Sequence, residues 1–423
     1  MKNILILSCF LFNAGLIHAE KSFLGRFLNA AVKHQQEQGI ALKKRPSIMP
    51  VFSDAELRVR NRSYDFEGQR YSLKLEPRGF GETRALKKYL QSNREFEKIH
   101  NQYNFNENLL LRYIYFIDML ERKALANSYR DLILVYEDRI KVMEELQNSS
   151  EFDLTTLIKA EKELAKLISE NIEEGQEVQI ANEYIAQECA DSLGGEIDTI
   201  GLKSVPQIKK EIEAIDTGLS EEANIYLKDL KSELSCSENR YKLAGTQNRK
   251  PFSFFEFSYD FGSYNEELVR RSDFKDYNLN NAIMFEVGIK IPGFSSNEDD
   301  LMRYQMDYSS KISDYRSLQR EMAAKIKKDI SDIKAYIERY ELMSRRETES
   351  DAEASLKKYM QLSGVDPLVL LSIQESVIKN RFEKEKVYFS ILRNLIYVVD
   401  VAGKLSERPI INFLFSHNEI VVE

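Results

Sequence analysis

Tryptophan is absent from this chain, and proline and glycine are scarce, at 8 and 17 of 423 residues. So few breakers exclude a loop-rich or many-turned β architecture and leave long helices as the expectation. Cysteine is also rare. Cys9, Cys189 and Cys236 form no Cys-x-x-Cys pair, and His34, His100 and His417 stand alone, so neither spacing suits a metal centre. No nucleophile motif or phosphate-cradling loop occurs, and the many carboxylates sit beside lysines in the manner of solvated helix faces. An enzyme, a cofactor and catalytic residues are therefore not expected. Beyond residue 20 no apolar run approaches the ~18 residues of a membrane-spanning helix. Any entry into a bilayer would fall to strands. The formal net charge of −8 argues against a nucleic-acid partner.

What is present begins with an export signal. Residues 1–19, "MKNILILSCFLFNAGLIHA", carry Lys2, an apolar run from Ile4 to Leu16, and Ala19 before the charged Glu20. That is the anatomy of a cleaved secretory signal. Too few residues precede Cys9 for it to be a lipoprotein cleavage cysteine. In an oxidising compartment the remaining pair, Cys189 and Cys236, suggests a disulfide tying down the middle of the chain, the alternative being two buried thiols.

The mature sequence then repeats itself. "SLKLEPRGFGE" (72–82) lies on "EVGIKIPGFSS" (286–296) at an offset of 214, and the same offset lays "FDLTTLIKAE" (152–161) on "DPLVLLSIQE" (366–375). Each half opens with two segments of strand periodicity. In the second half these fall at about 252–261 and 282–291: Phe255, Phe257, Tyr259 and Phe261 alternate with Glu256, Ser258 and Asp260, and Ile283, Phe285, Val287 and Ile289 with Met284, Glu286 and Gly288. In the first half they fall at about 51–60 and 70–77, with Leu57, Val59, Tyr71, Leu73 and Leu75 against Glu56, Arg58, Arg70, Lys74 and Glu76.

Long polar helices with coiled-coil spacing follow, at about 82–147 and 295–362, each ~100 Å long at 1.5 Å per residue. Each ends in a turn and the chain comes back. The first turn, 147–153, contains Asn148, Ser149, Ser150 and Phe152. The second, 362–367, reads Ser363, Gly364, Val365, Asp366, Pro367, in which Gly364 suits a helix end while Asp366 caps the next helix and Pro367 fits its first turn. Return helices are expected at about 154–190 and 368–405, with further helices at 24–43 and 219–245 completing the span. The organisation expected is a first repeat at 20–190, a mixed insertion at 191–218, a second repeat at 219–405 and a tail at 406–423.

Hairpins give the apolar strand faces a reading. Four strands cannot close a barrel, an open edge in lipid leaves backbone groups unsatisfied, and ~8 strands are the smallest closed solution. Several copies would have to build one barrel, with Phe255, Phe257, Tyr259, Phe261, Ile283, Phe285, Val287 and Ile289 facing lipid and the alternate residues facing water. Periodicity alone allows a dimer as well as a trimer. The competing reading is a soluble sheet packed on its own core, in a periplasmic coiled-coil scaffold or adaptor.

"AIMFEVGIKIPGF" running into a polar coiled coil, and "KKYMQLSGVDPLVLLSIQESVIKNRFEKEKVYFSILRNLIYVVDVAGKL", resemble the outer-membrane efflux and secretion ducts related to TolC, over nearly the whole mature chain. The resemblance implies a mainly α fold with a small β part, built from two repeats of β-hairpin and antiparallel coiled-coil helices and assembled as a homotrimeric α-barrel and β-barrel duct. It implies outer-membrane lipid around the strands, a location in the outer membrane reaching into the periplasm, and two partners: a periplasmic adaptor met at the two tip turns and an inner-membrane transporter behind it. Where similar proteins narrow their entrance with acidic residues, this chain has Val369 and Ser372. The candidate constriction therefore falls on Asp366 and Glu375.

Overall fold

The computed structural model describes residues 23–39, 51–61, 69–148, 152–189, 201–214, 224–260, 283–289, 297–350, 366–416 and 420–422. The described helices are α1 (Phe23–Gly39), α2 (Glu82–Glu145, continued by a 3-10 turn at Leu146–Asn148), α3 (Leu154–Cys189), α4 (Val205–Ala214), α5 (Ile225–Asn248), α6 (Asn297–Ser350) and α7 (Pro367–Val401). The strands are β1 (Phe52–Asn61), β2 (Gln69–Pro77), β3 (Phe252–Asp260), β4 (Ile283–Ile289), β5 (Ile410–Ile411) and β6 (Ile420–Val422). The expected strand pairs and return helices are present with ends shifted by a few residues, as is the first long helix; of the second, 297–350 is helical and 351–362 lie outside the described residues. The signal-like residues 1–19 lie outside the described residues.

The chain divides into two compact units that do not follow the repeat boundaries, since each unit takes residues from both repeats. One comprises Met1–Ala41, Asn101–Ile225 and Arg320–Glu423. The other comprises Leu42–His100 and Tyr226–Gln319.

The first unit has an interior of Leu109, Tyr113, Phe116, Ile117 and Leu120 from α2, Ile333 and Ile337 from α6, and Ile391, Leu392, Leu395 and Ile396 from α7. These recur at the three- and four-residue steps that give a helix one apolar face. Leu24, Phe27 and Leu28 of α1 are buried in the same cluster. Arg112 fixes α1 there: its guanidinium lies over the Phe27 ring at 4.5 Å, donates to the Phe27 carbonyl at 2.7 Å and pairs with Glu188 of α3. The tail is bound into this unit rather than trailing from it. Leu202 bridges to Phe415, β5 pairs with β6, and the Tyr113 hydroxyl donates to the Ile411 carbonyl at 3.0 Å.

The start of α7 is set by the residues that the sequence singled out. Asp366 Oδ1 accepts from the Leu368 amide at 2.9 Å, with Pro367 in the first turn of α7. Gly403, at φ 76°, takes the left-handed position after that helix, and its amide donates to the Asp400 carbonyl at 2.8 Å. At the start of α3, Asp153 accepts from the Thr155 amide at 2.9 Å and the Thr156 hydroxyl at 2.6 Å.

In the second unit the two hairpins form one antiparallel sheet in the order β1-β2-β3-β4. The strand ends that join helices all lie at the same end of that sheet, because Phe52 pairs with Pro77 and Phe252 with Ile289. The junction is held by Glu82, 1% exposed. Its carboxylate accepts from the Gly79 amide at 2.7 Å, lies 3.3 Å from Lys250 Nζ and lies 3.6 Å from Arg78. Gly79 has no substitute here, since a Cβ on it would come within 2.8 Å of the Thr246 carbonyl oxygen.

Candidate functional site

Register decides what the sheet presents. Leu57, Leu73, Phe257 and Phe285 are opposite one another in succession across the four strands, as are Val59, Tyr71, Tyr259 and Ile283, and Ala55, Leu75, Phe255 and Val287. Side chains alternate between faces along a strand, so these three rows make one apolar face. Glu56, Lys74, Glu256 and Glu286 form a row on the other face, and Arg58, Ser72, Ser258 and Met284 form the next.

Exposure runs against the pattern of a soluble sheet. The apolar face is open: Leu57 is 70% exposed, Phe285 56% and Phe257 48%. Ser72 and Ser258 on the polar face are only 5% and 4% exposed, and Arg70 Nη2 donates to Ser258 Oγ at 3.0 Å. The aromatic rings of the open face pack side by side, Phe257 on Phe285 at 4.8 Å between centroids and Phe255 on Phe285 at 6.3 Å. Phe254, opposite Gly288 in the same register as Phe255 and Val287, falls on the polar side with Lys74 Nζ 5.0 Å from its ring, and the register shifts only beyond it, between Phe252 and Phe254. A Cβ on Gly288 would fall 2.6 Å from that ring, so only glycine fits beneath it.

Phe255, Phe257, Tyr259, Ile283, Phe285 and Val287 thus share one face of the sheet, and Ile289, 74% exposed, continues β4 beyond them. Phe261 lies outside the described residues. So do Ser149, Ser150, Ser363, Gly364 and Val365 of the tip turns. Of the others, Asn148 closes the 3-10 turn, Phe152 packs against the cluster of Leu157 and Ile378, and Asp153, Asp366 and Pro367 form the helix starts. Hydrogen bonds from Thr156, and after it from Thr155, hold the Asp153 carboxyl below its ordinary range.

Asp366 and Glu375, the candidate constriction, are both engaged within the chain. Asp366 spends its carboxylate on the α7 cap. Glu375 accepts from the Tyr136 hydroxyl at 2.9 Å, from Arg139 at 2.8 Å and from Lys379 at 2.6 Å, stapling α7 to α2. Burial pushes this carboxyl up, but the bonds from Lys379, Tyr136 and Arg139 outweigh it and hold the group below its usual range. Val369 and Ser372, at the positions aligned with the acidic entrance residues, line an open groove of about 450 Å³ along α7 with Leu368, Ile373, Ser376, Val377 and Asn380.

One expectation is overturned. Cys189 and Cys236 form no disulfide: Cys189 packs against the core of the first unit, whereas Cys236 belongs to the second, with its Sγ 3.5 Å from Asn93 Oδ1. Burial pushes the Cys236 thiol up, away from the reactive thiolate. Sequence reasoning also missed the partner of His100, whose Nδ1 lies 3.3 Å from Asp229 Oδ1. Among the described residues no cluster of His, Cys, Asp and Glu could hold a metal ion, and no helix is long and apolar enough to cross a membrane.

No family model and no curated protein sequence matches the chain. Solved structures do. The chain is similar to the CmeC outer membrane channel of Campylobacter jejuni at 12% identity and a TM-score of 0.63, over 90% of this chain and 86% of that one. It is similar to the outer membrane protein VceC of Vibrio cholerae at 14% and 0.57, over 89% and 91%, and to the open state of the MtrE outer membrane channel of Neisseria gonorrhoeae at 10% and 0.56, over 91% and 90%. Across nearly its whole length, this chain has the mainly α fold of the TolC-like outer membrane channels.

Proposed function

We propose that this protein is the outer-membrane exit duct of a tripartite efflux pump or type I secretion system. Three copies close their four-stranded sheets into one barrel in lipid, and their helices continue the passage into the periplasm. The observation that carries this reading is the inverted sheet. Its contiguous apolar rows are open with nothing packed over them among the described residues, whereas the opposite face is polar, burying Ser72 and Ser258 and presenting Glu56, Arg60 and Glu286. In water such a surface is a liability; around a lipid-embedded barrel it is the required arrangement. β1 and β4 end the sheet with unpaired edges among the described strands, and pairing them with further copies would satisfy their backbone groups as lipid demands.

Such a duct performs no chemistry. Its tip turns, 147–153 and 362–367, meet a periplasmic adaptor bound to an inner-membrane transporter, and export of the chain itself depends on the signal at residues 1–19. Fractionation tests the reading. The protein is expected in outer membranes, extractable only with detergent and running as a slower, oligomer-sized band when heating is omitted. Recovery as a soluble periplasmic species would contradict it and favour the scaffold or adaptor. At the tips, replacing Ser149, Ser150 and Ser363 by arginine is expected to abolish export while the amount of assembled protein stays constant; normal export would remove the adaptor contact.

A further inference from the structure

The polar face of the sheet is not uniformly polar. At the end joined to the helices, Asp54 is opposite Glu76, and the next row is Glu56, Lys74, Glu256 and Glu286. Carboxylates dominate both rows, with Lys74 the sole ammonium. Towards the far end the sign changes. The third row contributes Arg58 beside Ser72, Ser258 and Met284, and the fourth contributes Arg60 opposite Arg70, with Asp260 in register opposite Arg70. Side-chain contacts confirm that these charges share a face, since Glu56 meets Arg58 at 2.6 Å and Lys74 meets Glu76 at 3.5 Å, each pair two residues apart on one strand.

From these rows we infer that the lumen is bipolar: a carboxylate zone next to the helices and a guanidinium zone beyond it, in series along the path of any solute. The inference rests on the reading of this face as the lining of a pore. Rows on one face repeat every two residues, or ~7 Å, so the zone centres lie ~13 Å apart. Where the zones meet, Glu56 and Arg58 neutralise each other; beyond that pair Asp54, Glu76, Glu256 and Glu286 outnumber Lys74 on one side and Arg60 and Arg70 outnumber Asp260 on the other, and the ~8 Å screening length at physiological salt is shorter than the separation of these two excesses. Closing several copies into a barrel repeats each row around the ring and reinforces both zones, since their signs add within a row. Cationic solutes are therefore concentrated at the helix end of the barrel and anionic solutes at the outer end. A permeant carrying both charges meets favourable sites at both depths.

Thiol labelling of the assembled protein in lipid vesicles tests this without requiring the helical end to open. In a chain with Cys189 and Cys236 replaced by serine, Glu286→Cys probes the first zone and Arg60→Cys the second; both positions are exposed, so reagents reach them. Rates with a trimethylammonium and a sulfonate methanethiosulfonate are compared with those of a simple thiol in solution. The cationic reagent is expected to be favoured about fivefold at the Glu286→Cys thiol, and the anionic one by a similar factor at the Arg60→Cys thiol, as potentials of order kT dictate. Both preferences should vanish in 1 M salt, where screening shortens to ~3 Å. Adding Glu256→Gln should reduce the first preference alone, and adding Arg70→Gln the second alone. The same preference at both thiols, or preferences untouched by salt, would overturn the bipolar lining while leaving the pore intact. If neither thiol reacts while one at Phe285→Cys does, the polar face does not line water, and the duct and this inference both fall.

Discussion

Phe257 and Ser258 are neighbours on β3 with opposite surroundings, and exchanging each for arginine separates the two readings of the sheet. In a soluble protein Phe257, 48% exposed, would be a tolerant surface position and Ser258, 4% exposed, an intolerant interior one. In lipid the order reverses. An arginine on the lipid face near mid-depth costs about 2–4 kcal/mol. Loss of the Phe257–Phe285 ring contact, with centroids 4.8 Å apart, adds about 0.5–1.5 kcal/mol. Phe257→Arg should therefore lower stability by about 3–5 kcal/mol, a factor of more than about 100 in the folding equilibrium at 1.4 kcal/mol per decade. Ser258→Arg faces a water-filled lumen already lined by Arg70 and should cost less than about 1 kcal/mol. The assay is denaturant titration of the protein folded into vesicles, followed by the heat-dependent mobility of the assembled form. Equal losses, or a larger loss from Ser258→Arg, would refute the lipid-facing assignment.

Further outcomes follow from the junctions and the staple. Gly79→Ala would drive a Cβ to within 2.8 Å of the Thr246 carbonyl oxygen, so the strand-to-helix junction must shift; a loss of about 1–3 kcal/mol is expected in thermal unfolding, as for overpacking elsewhere. Glu375 is held below its ordinary value of 4.5. Its contribution is therefore fully present above that value and is lost as pH falls through the depressed one. The melting temperature of the native chain should fall more steeply than that of Glu375→Gln on going below about pH 4.5, and parallel curves would show that the staple contributes nothing. Intact mass after alkylation without reductant should report two reactive thiols in the unfolded mature chain, Cys189 and Cys236, against the disulfide that export to an oxidising compartment first suggested.

The alternation of Phe255, Phe257 and Tyr259 was legible because strand periodicity is local, and so was the cap at Asp366; the cap at Asp153 was passed over for Asn148, Ser149 and Ser150 beside it. The joining of β2 to β3 was not, because pairing Leu73 with Phe257 closes a loop whose length no periodicity records. Phe254 shows the limit most clearly. Alternation alone assigns it to the polar face without explanation, and only the absent Cβ of Gly288 opposite makes room for its ring there. Glu82 reads as an ordinary acidic residue at a helix start, and its burial beneath Lys250 and Arg78 depends on two chain segments arriving at one corner. The staple of Tyr136, Arg139 and Glu375 was hidden likewise: coiled-coil spacing says which face of α2 and α7 is apolar, not which residues on their flanks meet. For the cysteines, oxidising export favoured a bridge in general, whereas the fold places the two in different compact units.

The molar mass of the purified protein in detergent tests the central claim most directly, since a four-stranded sheet with open edges cannot enclose anything alone. A particle of three chains that precipitates when detergent is removed is the predicted result. A single chain, monodisperse in plain buffer, would contradict it.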